Sequence, residues 1–386
     1  MEILFVSHKY PPSTGGMEKQ SYELINGMKR YATVHAILPK EGESKLAFFA
    51  ALRKKITLEC EMHPDITLIH FNDALIAAVC LGHKDYLHLQ RVVTVHGLDI
   101  VFPNWIYQRF ILPKFNRFDL IIAVSHATAK ACMDRKIDPK KVIVVPNGVD
   151  HSIADINQKE RFSVDLSAKF DYPGGKPILV AMGRAVKRKG FSWFIERVMP
   201  SLPKEFLLLI IGPFSLEPTQ TEKILRWLPS RLRRQIELAL GFPTDEANLR
   251  ILLKKSPNVK HLGKLPFEEV LQILQSADAF VMPNIAVNGD MEGFGLVCLE
   301  ASLAGTYVLA ANIDGIPEAI HDGENGMLLP SGNVSVWSNT LNNLAKNPKF
   351  YNQKGENSCL YTLQHFGWEQ MVKAYMDTFY SLKNKT

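Results

Sequence analysis

The chain has 386 residues, 43.5 kDa, with 46% hydrophobic and 22% charged residues, which is too long for one ordinary core and too apolar for disorder, so about two globular domains are expected. The net charge of +6 and pI near 8.9 suit acidic or phosphorylated partners, but no zinc-finger spacing or aromatic–basic signature supports a nucleic acid partner. No apolar run reaches the roughly 18 residues that span a bilayer, and Met1-Glu2-Ile3-Leu4-Phe5-Val6 lacks the start of a signal peptide, so the expected location is cytoplasmic.

Ile3-Leu4-Phe5-Val6 is a wholly apolar run suited to a strand buried on both faces of a parallel sheet. Gly15 and Gly16 stand between it and a helical stretch from Met17 to Leu24, and adjacent glycines there allow a ligand to approach the backbone closely. The alternative is a flexible turn; the G-x-G-x-x-G of a dinucleotide fingerprint is absent. Leu46 to Leu52 followed by Arg53-Lys54-Lys55 places Phe48, Phe49 and Leu52 on one helical face beside a basic cluster. A core-facing helix with a solvated basic end is the favoured reading, and contact with an anionic membrane surface is the other.

Strands are expected at Thr33–Leu38, Ile66–His70, Val92–Val95, Leu120–Val124 and Val142–Val145, with helices between several of them. This is the alternation of a doubly wound α/β domain, whose ligand crevice lies at the carboxyl ends of its strands. Three of those ends carry polar groups: His96-Gly97-Leu98-Asp99, Ser125-His126-Ala127-Thr128 and Pro146-Asn147-Gly148-Val149-Asp150. His96 can serve a substrate hydroxyl or phosphate, or sit in a turn; Ser125 reads as a helix cap rather than a nucleophile.

A polar stretch with Tyr172-Pro173-Gly174-Gly175 separates this half from a second series of strands beginning at Ile178–Met182. Gly183 to Gly190 follows at once, and its Arg184 and Lys189 suit the gripping of a diphosphate, the arginine by its fork and the lysine as a point charge. Further strands are expected at Phe206–Ile211, at Val259–Leu262 before Lys264 and Leu265, at Ala279–Met282 and at Tyr307–Ala310. Between the last two lies Glu292-Gly293-Phe294-Gly295-Leu296-Val297-Cys298-Leu299-Glu300, a glycine-broken turn opening a helix and bracketed by carboxylates. Helix-start amides suit phosphate and carboxylates accept from hydroxyls, so a nucleotide diphosphate sugar fits both halves; a capping Glu292 and a solvated Glu300 is the plainer reading. The five cysteines are scattered without paired spacing and read as reduced core thiols, with no metal site.

Gly15-Gly16, Val95-His96-Gly97, Pro146 to Asp150, Gly183-Arg184 to Lys189-Gly190, Glu292 to Glu300 and Gly315-Ile316-Pro317-Glu318 occur in the order found in the family 4 (group 1) retaining glycosyltransferases, which this chain resembles over nearly its whole length. The resemblance implies an α/β GT-B architecture of two Rossmann-like doubly wound domains facing across a cleft. It places an acceptor-side domain at 1–165 with a C-terminal return helix at 367–386, and a nucleotide-sugar-binding domain at 172–366. It implies retaining transfer of a sugar from a nucleotide diphosphate sugar, most simply a UDP-sugar, to a glycan, lipid-linked or small-molecule acceptor, with no cofactor and no metal.

On the matching positions, the resemblance gives Glu292 the sugar hydroxyls, Glu300 the ribose, Arg184 and Lys189 the diphosphate, and the amides of Phe294, Gly295 and Leu296 the sugar or phosphate. The resemblance also implies that His96 faces the reacting sugar and that Lys264 and Leu265 lie near the base, and Gly15 and Gly16 are expected among the donor-binding residues. Two stretches depart from the pattern: the long basic segment 213–257, and Asn312-Ile313-Asp314-Gly315 in place of the more usual glycine pair. A peripheral membrane contact, a sugar-nucleotide epimerase on the same fold, and a catalytically silent binding subunit stay open on the sequence.

Overall fold

The computed structural model describes residues 1–13, 15–154, 177–203, 206–215, 217, 220–225, 227–229, 232–233, 236 and 245–383. The linker read over 159–176 lies outside them, as do Arg231 and Arg234 of the basic segment. The chain divides into two compact units: unit 1 is Met1–Gly148 with Phe366–Thr386, and unit 2 is Val149–His365. No helix among the described residues is long and apolar enough to cross a membrane.

Unit 1 holds a six-stranded sheet, β1 (Glu2–Val6), β2 (Thr33–Ile37), β3 (Ile66–Phe71), β4 (Gln90–Val95), β5 (Leu120–Ala123) and β6 (Val142–Val144), in the order β2-β1-β3-β4-β5-β6. Every pairing is parallel. Ile3 to Val6 are wholly buried, as a strand covered by helices on both faces requires. Helix α1 (Gly16–Met28) follows β1, α2 (Lys45–Met62) follows β2, and α3 (Ala74–Cys80) follows β3. On α2 the side chains of Phe48, Leu52 and Ile56 are buried, so the face that could have met a membrane is spent on the core, and Phe49 rests against His8 with ring centroids 5.3 Å apart. Helix α4 (His126–Met133) is capped by Ser125, whose Oγ accepts from the Thr128 amide at 3.1 Å.

The chain's last helix, α10 by chain order (Trp368–Lys383), packs on α1 and joins unit 1 to itself through a buried polar chain. Its donors and acceptors alternate without conflict. Gln20 Nε2 donates to the Tyr375 hydroxyl (3.2 Å), which lies 2.9 Å from Thr94 Oγ1; Thr94 lies 2.9 Å from His70 Nε2, and His70 Nδ1 lies 2.9 Å from Asn72 Oδ1. Since an amide oxygen only accepts, His70 carries its proton on Nδ1 and takes the Thr94 proton on Nε2. Burial lowers the His70 pKa to about 3, so the ring is neutral. With the folded pKa depressed, the stabilisation is complete above the unfolded value near 6.5 and is lost as pH falls, at about 1.4 kcal/mol per pH unit. Urea unfolding at pH 7 and pH 5 should therefore show a loss on acidification that His70→Gln reduces, the remainder coming from other histidines such as His261, whose pKa burial lowers to about 4.

Gly148 closes this unit. A Cβ there would strike the Gly367 carbonyl and the Trp368 amide nitrogen, so the Pro-Asn-Gly turn serves the return of the chain. Gly148→Ala is expected to cost about 1–3 kcal/mol, read as a lowered urea midpoint, because the contact is with rigid backbone.

Unit 2 holds β7 (Ile178–Met182), β8 (Leu207–Ile211), β9 (Val259–His261), β10 (Ala279–Met282), β11 (Val308–Asn312) and β12 (Met327–Pro330), again all parallel, in the order β12-β11-β10-β7-β8-β9. Its longer described helices include α5 (Glu246–Lys255), α6 (Phe267–Gln275), α7 (Leu296–Leu303), α8 (Val334–Lys346) and α9 (Pro348–His365). Phe194, Phe206, Trp337 and Tyr351 fill a core that also takes Leu249 of α5, so the described end of the basic segment is a packed helix, while Trp227 is 92% exposed. All five cysteines are free thiols, four of them buried.

Candidate active site

The strand order of unit 2 reverses between β7 and β10, each the first of a run of three strands leading outward. At such a point the loops leaving the two central strands part to opposite faces and open a crevice. The loop from β7 is Gly183 to Gly190, and the loop from β10 leads to Glu292 and α7.

The two loops are locked together. The Ile285 amide donates to the Arg188 carbonyl at 2.9 Å, and Gly190 (φ 68°) lies so close to the Pro283 carbonyl that a Cβ would overlap it. This close approach brings opposite charges into one cluster. Glu292 Oε2 accepts from Lys189 Nζ at 2.9 Å, Asn284 Nδ2 at 3.2 Å and Arg188 Nε at 3.3 Å, and Arg188 Nη1 reaches both oxygens of Asp290 at 3.1 and 3.2 Å. Lys189 and Glu292 side chains are 8% and 13% exposed. Burial pushes the Glu292 carboxyl up, but Lys189 and Arg188 outweigh it and hold the pKa at about 2. Burial pulls Arg188 down, and Glu292 and Asp290 more than restore it. Glu292 and Arg188 are thus held in their charged forms, within a cluster of two basic and two acidic side chains.

Beyond Glu292 the chain turns through Gly295 (φ 101°) into α7, with no side chain capping the helix start. A left-handed φ at this position favours glycine, and the first amides of a helix have no acceptor within it. Phe294 is buried, so the backbone is what its position offers, while Leu296 and Glu300 are half-buried on α7. The turn is held by Asp314, whose Oδ2 accepts from the Glu292 amide at 3.1 Å, and by the Gly315 amide, which donates to the Glu292 carbonyl at 3.0 Å. Asp314 itself has φ 53°, a conformation glycine adopts without strain, and here its side-chain hydrogen bond accompanies it.

Arg184 is exposed on the β7 loop, and the stem of Lys189 lies over Gly183, where a Cβ would come within 3.0 Å of Lys189 Cε. Lys264 is exposed and Leu265 half-buried in the loop after β9, which is pinned to β8 by the Gly212 amide donating to Gly263 O at 2.9 Å. The structure therefore brings Lys189 into contact with Glu292, continues directly to Phe294, Gly295, Leu296 and Glu300, and sets Lys264 and Leu265 farther along the same strand ends. Arg188, Asp290, Asn284 and Asp314 are additional. Arg188 stood in the sequence inside the same glycine-bracketed loop as Arg184, and its pairing with an acid a hundred residues away had no local signal.

In unit 1, His96 directly follows β4. Its amide donates to both oxygens of Asp99 (2.9 and 3.1 Å), and its Nε2 donates to the Asn72 carbonyl at 2.9 Å, leaving Nδ1 as the other ring nitrogen. His8, after β1, has Nδ1 2.9 Å from Asp73 Oδ2, and Asp73 also caps α3. Burial pushes Asp73 up, and the His8 hydrogen bond and charge more than reverse it. Gly15 precedes α1 in an extended conformation (φ 164°), and a Cβ on it would overlap the Glu18 carboxylate that curls over it.

A family model for glycosyl transferases group 1 matches residues 165–359, and one for glycosyltransferase family 4 matches residues 13–153. The chain belongs to the group 1 glycosyltransferases, and is a glycosyltransferase with two parallel six-stranded sheets of the GT-B fold. It is 22% identical to the alpha-maltose-1-phosphate synthase of Mycolicibacterium smegmatis over 98% of this chain and 99% of that protein. It is 25% identical to the amylovoran biosynthesis glycosyltransferase AmsK of Erwinia amylovora over 73% of this chain and 61% of that one. Among solved structures, Anabaena Alr3699/HepE in complex with UDP aligns with a TM-score of 0.71 at 20% identity, covering 99% of this chain and all of that one.

Proposed function

We propose that this glycosyltransferase takes its sugar from a nucleotide diphosphate donor, a UDP-sugar, and transfers it with retention and without a metal to a glycan or lipid-linked acceptor. The observation that carries the reading is the Lys189–Glu292 contact at the strand-order reversal of unit 2, beside the uncapped start of α7. Unit 2 is the donor unit in this account and unit 1 the acceptor unit.

The chemistry follows from where charge develops. As the anomeric C–O bond breaks, negative charge grows on the departing diphosphate, and preorganised cations and amides there lower the barrier. Lys189 is already aimed by Glu292 and by the glycine beneath its stem, and Arg184 and the amides of Phe294, Gly295 and Leu296 add donors. Glu292 stays ionised at any working pH and accepts from sugar hydroxyls; Glu300 accepts from the ribose. His96, its Nε2 proton fixed on Asn72, presents Nδ1 to a hydroxyl of the reacting sugar. Lys264 and Leu265 offer backbone to the base, and Gly15 and Gly16 let the donor approach α1. The relatives support the reading by what they are: one is named for a biosynthetic glycosyltransferase of amylovoran, and HepE was solved with UDP.

The test is a panel of nucleotide sugars incubated with the purified chain in EDTA, with candidate lipid and oligosaccharide acceptors, read by NMR of the product's anomeric proton. Retained configuration from a UDP-sugar is expected. Conversion of the donor with no acceptor present would instead make the protein an epimerase, and inversion would rule out the mechanism.

A further inference from the structure

A cluster in unit 1, away from every residue assigned above, has the composition and spacing of a metal site. Helix α2 buries Phe48, Leu52 and Ile56 against the sheet, and the same helical stripe continues at Glu59 and His63. That stripe ends over β2, the edge strand, where His35 shares a sheet face with Glu2 of β1, because Leu4 pairs with His35 and Glu2 with Thr33 in the parallel register. One ligand atom from each of His35, Glu59 and His63 lies within 4.8 Å of the others.

The distances separate an ion-pair network from a coordination set. Glu59 Oε1 is 3.4 Å from His35 Nδ1 and 3.7 Å from His63 Nε2, too long for good hydrogen bonds, which fall at about 2.7–3.2 Å. Tetrahedral ligands bonded to zinc at about 2.0–2.1 Å stand roughly 3.3–3.4 Å apart. The other nitrogen of His35 is engaged: Nε2 lies 2.9 Å from Glu2 Oε2. A carboxylate on the far nitrogen of a ligating histidine fixes its tautomer and ring, leaving the near nitrogen as a lone pair. The two imidazoles lie with centroids 4.1 Å apart, close for two cations but suitable for two neutral ligands of one ion. His63 is 42% exposed on its side chain, so an ion can enter and keep a water in a fourth position.

We infer that His35, Glu59 and His63, with Glu2 behind His35, form a binding site for a divalent transition-metal ion of the Zn2+ type that ties edge strand β2 to helix α2. Its effect is on unit 1's stability, because a ligand of the folded state alone raises it by mass action.

The untagged full chain, stripped with EDTA and dialysed, should be titrated with Zn2+ by calorimetry and with Co2+ by visible spectroscopy. One bound equivalent is expected, with a rise in melting temperature, and His63→Ala and Glu59→Gln should each abolish both while keeping the metal-free urea midpoint. Glu2→Gln should weaken binding by about 10- to 100-fold through His35 alone. Cys60→Ser, next to Glu59 on α2, should change nothing, and the cobalt spectrum should lack a thiolate charge-transfer band. Absence of binding, binding that survives His63→Ala and Glu59→Gln, or a thiolate band lost in Cys60→Ser would each overturn the assignment.

Discussion

Replacing Lys189 with alanine is expected to lower kcat by about 10²–10³-fold, the loss typical of removing one preorganised donor from a developing negative charge. UDP affinity should fall with it, since in the proposed binding mode the ammonium meets the diphosphate in the ground state as well. The substitution also strands Glu292 with Arg188 and Asn284 as its remaining partners, so a stability loss of about 3 kcal/mol should accompany it, the lower end for breaking a buried ion pair. Lys189→Arg is the informative companion. It keeps the charge but its fork cannot lie in the same channel over Gly183, so stability should recover more than turnover. Steady-state kinetics beside urea unfolding separates the two effects.

Glu292→Gln should behave differently. The cluster of Arg188, Lys189, Asp290 and Glu292 is balanced in charge, and removing one carboxylate leaves it with one net positive charge. Affinity for UDP should therefore hold or increase. Turnover should fall by about 10- to 100-fold, the equivalent of losing a hydrogen bond from a charged acceptor to a sugar hydroxyl, roughly 1.5–3 kcal/mol. A drop in kcat with unchanged or lower UDP dissociation constant supports separate duties for Glu292 and Lys189; equal losses in both would merge them into one anion site.

The fold was open to sequence reading because its central strands are buried on both faces. Runs such as Leu120-Ile121-Ile122-Ala123 and Leu207-Leu208-Leu209-Ile210-Ile211 carry no alternation, which suits parallel sheets and their helical cover. Ser125 was legible as a cap for a local reason: its partner amide is three residues away. What escaped was non-local. His70 sits in a strand like any apolar neighbour, and its role depends on Thr94 and, through the returning helix, Tyr375. The sequence does not separate Arg188 from Arg184, since the two share one loop, and only the distant Asp290 and Glu292 tell them apart. The departure at Asp314 has a physical account, since the residue takes the left-handed conformation and its carboxylate holds the Glu292 amide. Glu59 and His63 are one helical turn apart, but His35 lies on a separate strand, and only the register of β1 with β2 and the stripe of α2 bring the three together.

In the proposed mode, unit 2 holds a nucleotide diphosphate on Lys189, Arg184 and the start of α7 without a metal. The decisive measurement is calorimetric titration of UDP into the wild type, Lys189→Ala, Arg184→Ala and Glu292→Gln, each in excess EDTA. Saturable binding in EDTA is expected for the wild type and Glu292→Gln, and binding weakened at least about tenfold for Lys189→Ala and Arg184→Ala, the equivalent of one charge-assisted hydrogen bond. Binding that needs an added divalent ion, or that is unchanged in both of those alanine variants, would contradict it.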